Sequence, residues 1–175
     1  MKAPWATRMS DEDTREWVRE VVDALRAKGW RCATAESCTG GGIAARITDL
    51  AGSSEVFDRG FITYSNASKA TMLGVDPALI DAHGAVSEPV AQAMAAGAIA
   101  HSDADCACSV TGVAGPGGGT PDKPVGMVCF GWATRGGSVE TETVHFPGDR
   151  ANVRKSAVDH ALRGLLKVVG RPLVG

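Results

Sequence analysis

The 175-residue sequence has no uninterrupted apolar run approaching the ~18 residues of a membrane helix. Its opening, MKAPWATRMSDEDTREW, lacks the apolar core of an export signal. Neither charge is in excess. Lys and Arg total 18, Asp and Glu total 20, and the net charge of −2 gives no support to a nucleic-acid binder working by bulk charge. The five cysteines include no CxxC pair and no zinc-ribbon spacing. The four histidines, His83, His101, His145 and His160, are scattered, and none has a ligand-type partner at i, i+4. No metal and no cofactor are expected, and free thiols in a reducing cytoplasm are the default. Cys106 and Cys108 alternate within the apolar run DCACSV and read as buried strand thiols. With 44% apolar and 22% charged residues, the chain also lacks the polar, highly charged balance of disorder.

Glycine, by contrast, is abundant: 22 residues, where ordinary usage of ~7% gives about 12. The glycines cluster where backbone must approach something closely. The length suits one domain, read as residues 10–170 after a loose extension over 1–9. Ser10 reads as the cap of a first helix, with Asp13 three residues on, and Trp17, Val18, Val21, Val22 and Leu25 form its apolar face. A strand over 31–37 runs into a tight turn and a helix over 39–50. A second strand follows at 56–64, then helices from 66, from Asp76-Pro77, and after Ser87. A buried strand at 105–112 leads to a Gly/Pro loop at 114–124. Strands at 125–133 and 138–146 form a hairpin across Arg135-Gly136-Gly137, the second alternating like a half-solvated edge. Asp149 caps a last helix over 150–168, and Pro172 follows its end. Strand–helix alternation followed by a hairpin predicts a three-layer α/β/α sandwich. Its sheet is mixed, mostly parallel and about five strands wide.

In such a sheet, ligands bind beyond the carboxyl ends of the parallel strands. Three segments end there: AESCTGGG, TYSNASK and VTGVAGPGGG. In the first, Ser37 stands at a strand-to-helix turn where free N–H groups hold an oxyanion, with Thr39, Gly40 and Gly41 beside it. Ser37 or Thr39 acting as a plain helix cap accounts for the same residues. Cys38 is a rival nucleophile if the helix terminus lowers its thiol pKa, or an inert buried thiol if it does not. In the second, Lys69 lies one turn into a helix, within reach of Ser37 only if the chain folds back. Serine–lysine pairs are a variant of triad chemistry, provided the amine is neutral. Tyr64, the single tyrosine, is placed to orient that lysine or a substrate ring; a solvated lysine and an amphipathic tyrosine are the bland alternatives. In the third, Thr111, Gly112, Gly115 and Gly117 belong to a phosphate-friendly loop that is neither a Walker loop nor a dinucleotide fingerprint. Arg150 and Arg154, on successive turns of the last helix, suit a phosphate clamp or a solvated surface.

TAESCTGG (34–41), GFITYSNASKATMLGV (60–75), GAVSEPV (84–90), VTGVAGPGGG (110–119), KPVGMV (123–128) and FPGDRANVR (146–154) together resemble the CinA C-terminal domain family, in the same order, from about residue 11 to 168. The chain looks like a stand-alone form without the molybdopterin-binding-like domain of longer CinA proteins. The resemblance implies a three-layer α/β/α fold, an oligomer, and hydrolysis of the carboxamide of nicotinamide mononucleotide to nicotinate mononucleotide and ammonia, without a cofactor. It places Ser37 as nucleophile and Lys69 as its base, with Tyr64 and Thr111 lining the site. Gly117 departs from the family pattern, which is often polar or acidic there. A non-catalytic nucleotide- or partner-binding module, tied to competence or DNA damage, is the alternative from a different class.

Overall fold

A computed structural model describes residues 11–170. The expected extension, the Ser10 cap with the Asp13 side chain, and Pro172 lie outside the described residues or side chains. In chain order the elements are α1 (Asp11–Lys28), β1 (Cys32–Glu36), α2 (Gly42–Thr48), a 3-10 turn (Ser53–Glu55), β2 (Phe57–Ile62), α3 (Asn66–Leu73), α4 (Pro77–His83), α5 (Glu88–Ala100), β3 (Cys106–Gly112), β4 (Met127–Thr134), β5 (Val139–His145) and α6 (Arg150–Gly170). The five strands form one sheet in the order β2-β1-β3-β4-β5. β2, β1 and β3 run parallel, and β4 and β5 are antiparallel. The expected mixed sandwich is what forms, with the late hairpin at one edge.

Period-two alternation sorts the central strands between two cores. Cys32, Cys106, Cys108 and Val110 face one layer with α1, α2 and α6, in a cluster that includes Val21, Leu25, Ile43, Ile47, Leu162 and Leu165. Ala33, Ala35 and Ala107 face the other, with Leu73, Ile80, Val90 and Met94 from α3, α4 and α5. Each fully buried leucine in these layers stabilises the fold by about 2 kcal/mol. All five cysteines are buried free thiols.

The strand residues that face the second layer, Ala33, Ala35 and Ala107, are small. Serine oxygens cap α3 and α5, Ser65 accepting from Ser68 N–H and Ser87 from Val90 N–H. Asp76 caps α4, with Pro77 in its first turn. Gly97 of α5 lies against the Leu73 carbonyl at the end of α3: a β-carbon there would fall 2.1 Å from that oxygen. No other residue lets the two helices approach this closely, and α3 carries Lys69.

Candidate active site

The carboxyl end of β1 is tied to both neighbours. Ser37 N–H donates to the Val110 carbonyl (2.9 Å), extending the ladder to β3, and Thr63 N–H donates to the Glu36 carbonyl (2.9 Å). Beyond Ser37 the chain turns twice. Gly40 N–H donates to Ser37 O and Gly42 N–H to Thr39 O, each at 3.0 Å. Gly40 (φ 58°) and Gly41 (φ 97°) take left-handed conformations that only glycine adopts without cost. Those two residues delay α2 to Gly42, where a start at 39 was expected. Neither Ser37 nor Thr39 caps the helix. Glu36 does so instead, its carboxylate accepting from Ile43 N–H (2.8 Å), Ala44 N–H (3.1 Å) and Thr34 Oγ1 (3.2 Å). A buried anion at a helix N-terminus answers both the unpaired N–H groups and the helix dipole. Strand alternation turns Glu36 toward α2 and leaves Ser37 facing α3.

Lys69 meets Ser37 on that side. Its side chain runs back along α3, as long helical side chains do. Its Nζ lies 3.1 Å from Ser37 Oγ and donates to the Thr63 carbonyl (2.8 Å). Lys69 is only 1% exposed and has no carboxylate partner in these contacts. Burial pulls its pKa below the ordinary 10.5, because desolvation penalises the ammonium. The solvated-lysine alternative is thereby removed. A buried amine held to a serine oxygen and one carbonyl is arranged to give and take a proton.

The pair opens onto a cavity of about 310 Å3, the size of a small-ligand site. Ser37, Cys38, Lys69 and Thr111 line it, and Gly112, Gly115 and Gly117 form its glycine wall. The Thr111 hydroxyl donates to the Ala85 carbonyl (2.8 Å). Tyr64 and Arg150 stand at the mouth: Arg150 donates to the Tyr64 hydroxyl (3.0 Å) and to the Gly115 carbonyl (2.9 Å), bracketing the opening. Tyr64 is 62% exposed and does not orient the lysine; the Thr63 carbonyl does. No carboxylate is among the lining residues, while the Arg150 guanidinium is, so the mouth of the cavity suits an anionic ligand. Burial pushes the Cys38 thiol up to about 11, which leaves it protonated and a poor nucleophile at neutral pH.

Other expected site residues sit outside the cavity. Thr39 is buried, its Oγ1 without a hydrogen-bond partner among the described residues, and Gly40 and Gly41 shape the turn that follows Ser37. Arg154 does not line the cavity. Its guanidinium donates to the Cys38 carbonyl (3.1 Å) and the Thr39 carbonyl (3.2 Å). Sequence reasoning missed Glu36, the Thr63 carbonyl, and Asn66, which lines the cavity from the first position of α3. A carboxylate directly before the serine was a visible signal for Glu36; a main-chain acceptor leaves none. Among the described residues no helix is long and apolar enough to cross a membrane, and no group of three His, Cys, Asp or Glu could hold a metal ion.

Fold and site together define a class: a mixed α/β sandwich with a buried serine–lysine pair in a cavity beyond its parallel strands, with an arginine at the mouth. The chain belongs to the CinA C-terminal domain family, whose model matches residues 14–169. It is 50% identical over 159 residues to the nicotinamide-nucleotide amidohydrolase PncC of Enterobacter agglomerans, covering 91% of this chain and 97% of that protein. It is 53% identical over 148 residues to a CinA-like protein of Akkermansia muciniphila. That match covers 85% of this chain but 36% of the relative, so the chain spans about a third of the longer protein. Among solved structures, the competence/damage inducible protein CihA from Agrobacterium tumefaciens superposes with a TM-score of 0.89 at 40% identity, covering 94% of this chain and 100% of that one.

Proposed function

We propose that this chain hydrolyses the carboxamide of nicotinamide mononucleotide, releasing ammonia and nicotinate mononucleotide, with Ser37 as nucleophile and Lys69 as general base. The observation that carries the reading is the buried Lys69 amine 3.1 Å from Ser37 Oγ at the floor of an open cavity. The name of the Enterobacter agglomerans relative supports the substrate.

In this reading neutral Lys69 takes the Ser37 proton as Oγ bonds to the carboxamide carbon, and the carbonyl electron pair moves onto oxygen. The adduct collapses, the amide nitrogen leaves with the proton held by Lys69, and ammonia departs. Water, deprotonated by Lys69, then cleaves the acyl-serine. The oxyanion needs donors close to Ser37. The expected donors at the start of α2 are engaged, because Ile43 and Ala44 serve Glu36. Ser37, Gly40 and Gly42 N–H groups are also taken. The Thr39 N–H makes no hydrogen bond among the described residues and is the donor assigned, whereas the Cys38 N–H is turned to its own thiol. The pyridinium withdraws electrons from the carboxamide. Arg150 meets the 5′-phosphate at the cavity mouth, and Tyr64 flanks the nucleotide.

Ammonia release from nicotinamide mononucleotide, with free nicotinamide alongside, tests the reading. Wild type should release ammonia from the nucleotide, and Ser37→Ala should lower kcat by at least about 1,000-fold. Binding of the nucleotide without any ammonia would replace the hydrolase with a non-catalytic binding module.

A further inference from the structure

Arg154, which is not among the residues lining the cavity, grips the turn that carries the nucleophile. One guanidinium donates to two successive carbonyls, those of Cys38 and Thr39. Both peptide bonds that follow these carbonyls are trans, since the cis bond among the described residues is Gly115–Pro116. A trans peptide points its N–H opposite its C=O. With both carbonyls facing Arg154, the N–H groups of Thr39 and Gly40 face away from it. Gly40 N–H shows what lies on that side: it donates to Ser37 O at 3.0 Å. Thr39 N–H emerges on the same side and has no partner among the described residues. A charged donor on the Cys38 carbonyl also polarises the peptide, strengthening Thr39 N–H as a donor in turn.

We propose that Arg154 is a positioning residue for the acyl-transfer step. By holding the Cys38 and Thr39 carbonyls, it aims the Thr39 N–H at the oxygen of the tetrahedral adduct on Ser37. The inference rests on the hydrolase reading above. It assigns Arg154 a task in the transition state, distinct from binding the substrate phosphate. Two neighbouring arginines of α6 thereby divide the work, Arg150 at the cavity mouth and Arg154 on the turn.

The test is steady-state kinetics of ammonia release from nicotinamide mononucleotide by wild type, Arg154→Met, Arg154→Lys and Arg154→Ala. Losing an oxyanion donor outright costs about 100–1,000-fold in kcat. Misaligning one should cost about 10–100-fold, with KM within about two-fold of wild type. Lysine, a single charged nitrogen without the planar fork, should fall between methionine and arginine. Because Arg154 is exposed, millimolar guanidinium ion should restore part of the kcat of Arg154→Ala without changing KM. A raised KM with kcat intact would make Arg154 a phosphate ligand and overturn the proposal, as would unchanged kinetics in Arg154→Met. Should Arg154→Met fail to fold, Arg154→Lys decides: wild-type kcat, or a loss confined to KM, overturns the assignment. An inactive wild type would instead sink the hydrolase reading itself, so the two failures are separable.

Discussion

Replacing Lys69 with methionine removes the amine and keeps a stem of similar length. The amine makes two contacts, to Ser37 Oγ and the Thr63 carbonyl, at 1% exposure. Its loss leaves the Thr63 carbonyl without this donor, a cost of about 1–3 kcal/mol. It also removes a buried polar group whose desolvation opposed folding. The two effects have opposite signs, so stability near neutral pH should move by no more than about 2 kcal/mol. Activity should respond quite differently. A positioned base contributes about 100–10,000-fold, and in the proposed mechanism base and nucleophile act as a unit, so the loss should approach that of Ser37→Ala. The pH dependence carries the sharper test. Burial lowers the Lys69 pKa below 10.5 in the folded state. Between that lowered value and 10.5, the unfolded chain holds a proton that the folded chain has released. Stability of the wild type therefore rises with pH across this window, by up to about 1.4 kcal/mol per pH unit relative to Lys69→Met. Urea denaturation of both proteins from pH 7 to 10.5 measures the difference. Under the proposed mechanism, in which the neutral amine is the base, wild-type kcat/KM should climb with pH through the same lowered pKa. Parallel stability curves, or ammonia release surviving in Lys69→Met, would refute the buried-base argument.

Glu36→Gln should lower stability by about 2–3 kcal/mol, because a charge-assisted acceptor of two helix N–H groups becomes a neutral amide whose NH2 faces donors; thermal melting checks this. Its kcat should fall as well, since the same carboxylate fixes the far end of the Ser37 turn. Arg150→Met should raise KM for nicotinamide mononucleotide about 10-fold or more with little change in kcat, because the guanidinium brackets the cavity mouth rather than the serine; initial-rate kinetics would show it, and a selective loss of kcat would contradict it.

Much of the fold was readable because local signals agreed with one another. Ser65, Asp76, Ser87 and Asp149 each sit where a short polar side chain precedes a helix, and each accepts from the N–H groups of that helix. Val139–His145 is an edge strand with mostly part-exposed positions, as its alternation implied. The start of α2 was misplaced because GGG can either begin a helix or postpone it. What decides is the left-handed backbone at Gly40 and Gly41, which composition does not encode. The serine–lysine meeting was a hypothesis in the sequence and a distance in the structure. Arg154 was read together with Arg150 as a phosphate clamp or a solvated surface pair, because the two stand on successive turns. On α6 they stand about a turn apart, and that offset is enough to put one at the cavity and the other on main-chain carbonyls. Thr63 escaped notice because it acts through its main chain.

The main chain of Ser37 is the last rung between the two central strands, its N–H bonded to Val110. The Ser37 hydroxyl, the proposed nucleophile, therefore inherits the rigidity of the buried sheet, not the freedom of a surface loop. On heating, such a centre has no early, private way to fail: catalysis should persist until the sheet itself parts, and inactivation and melting should arrive as one event.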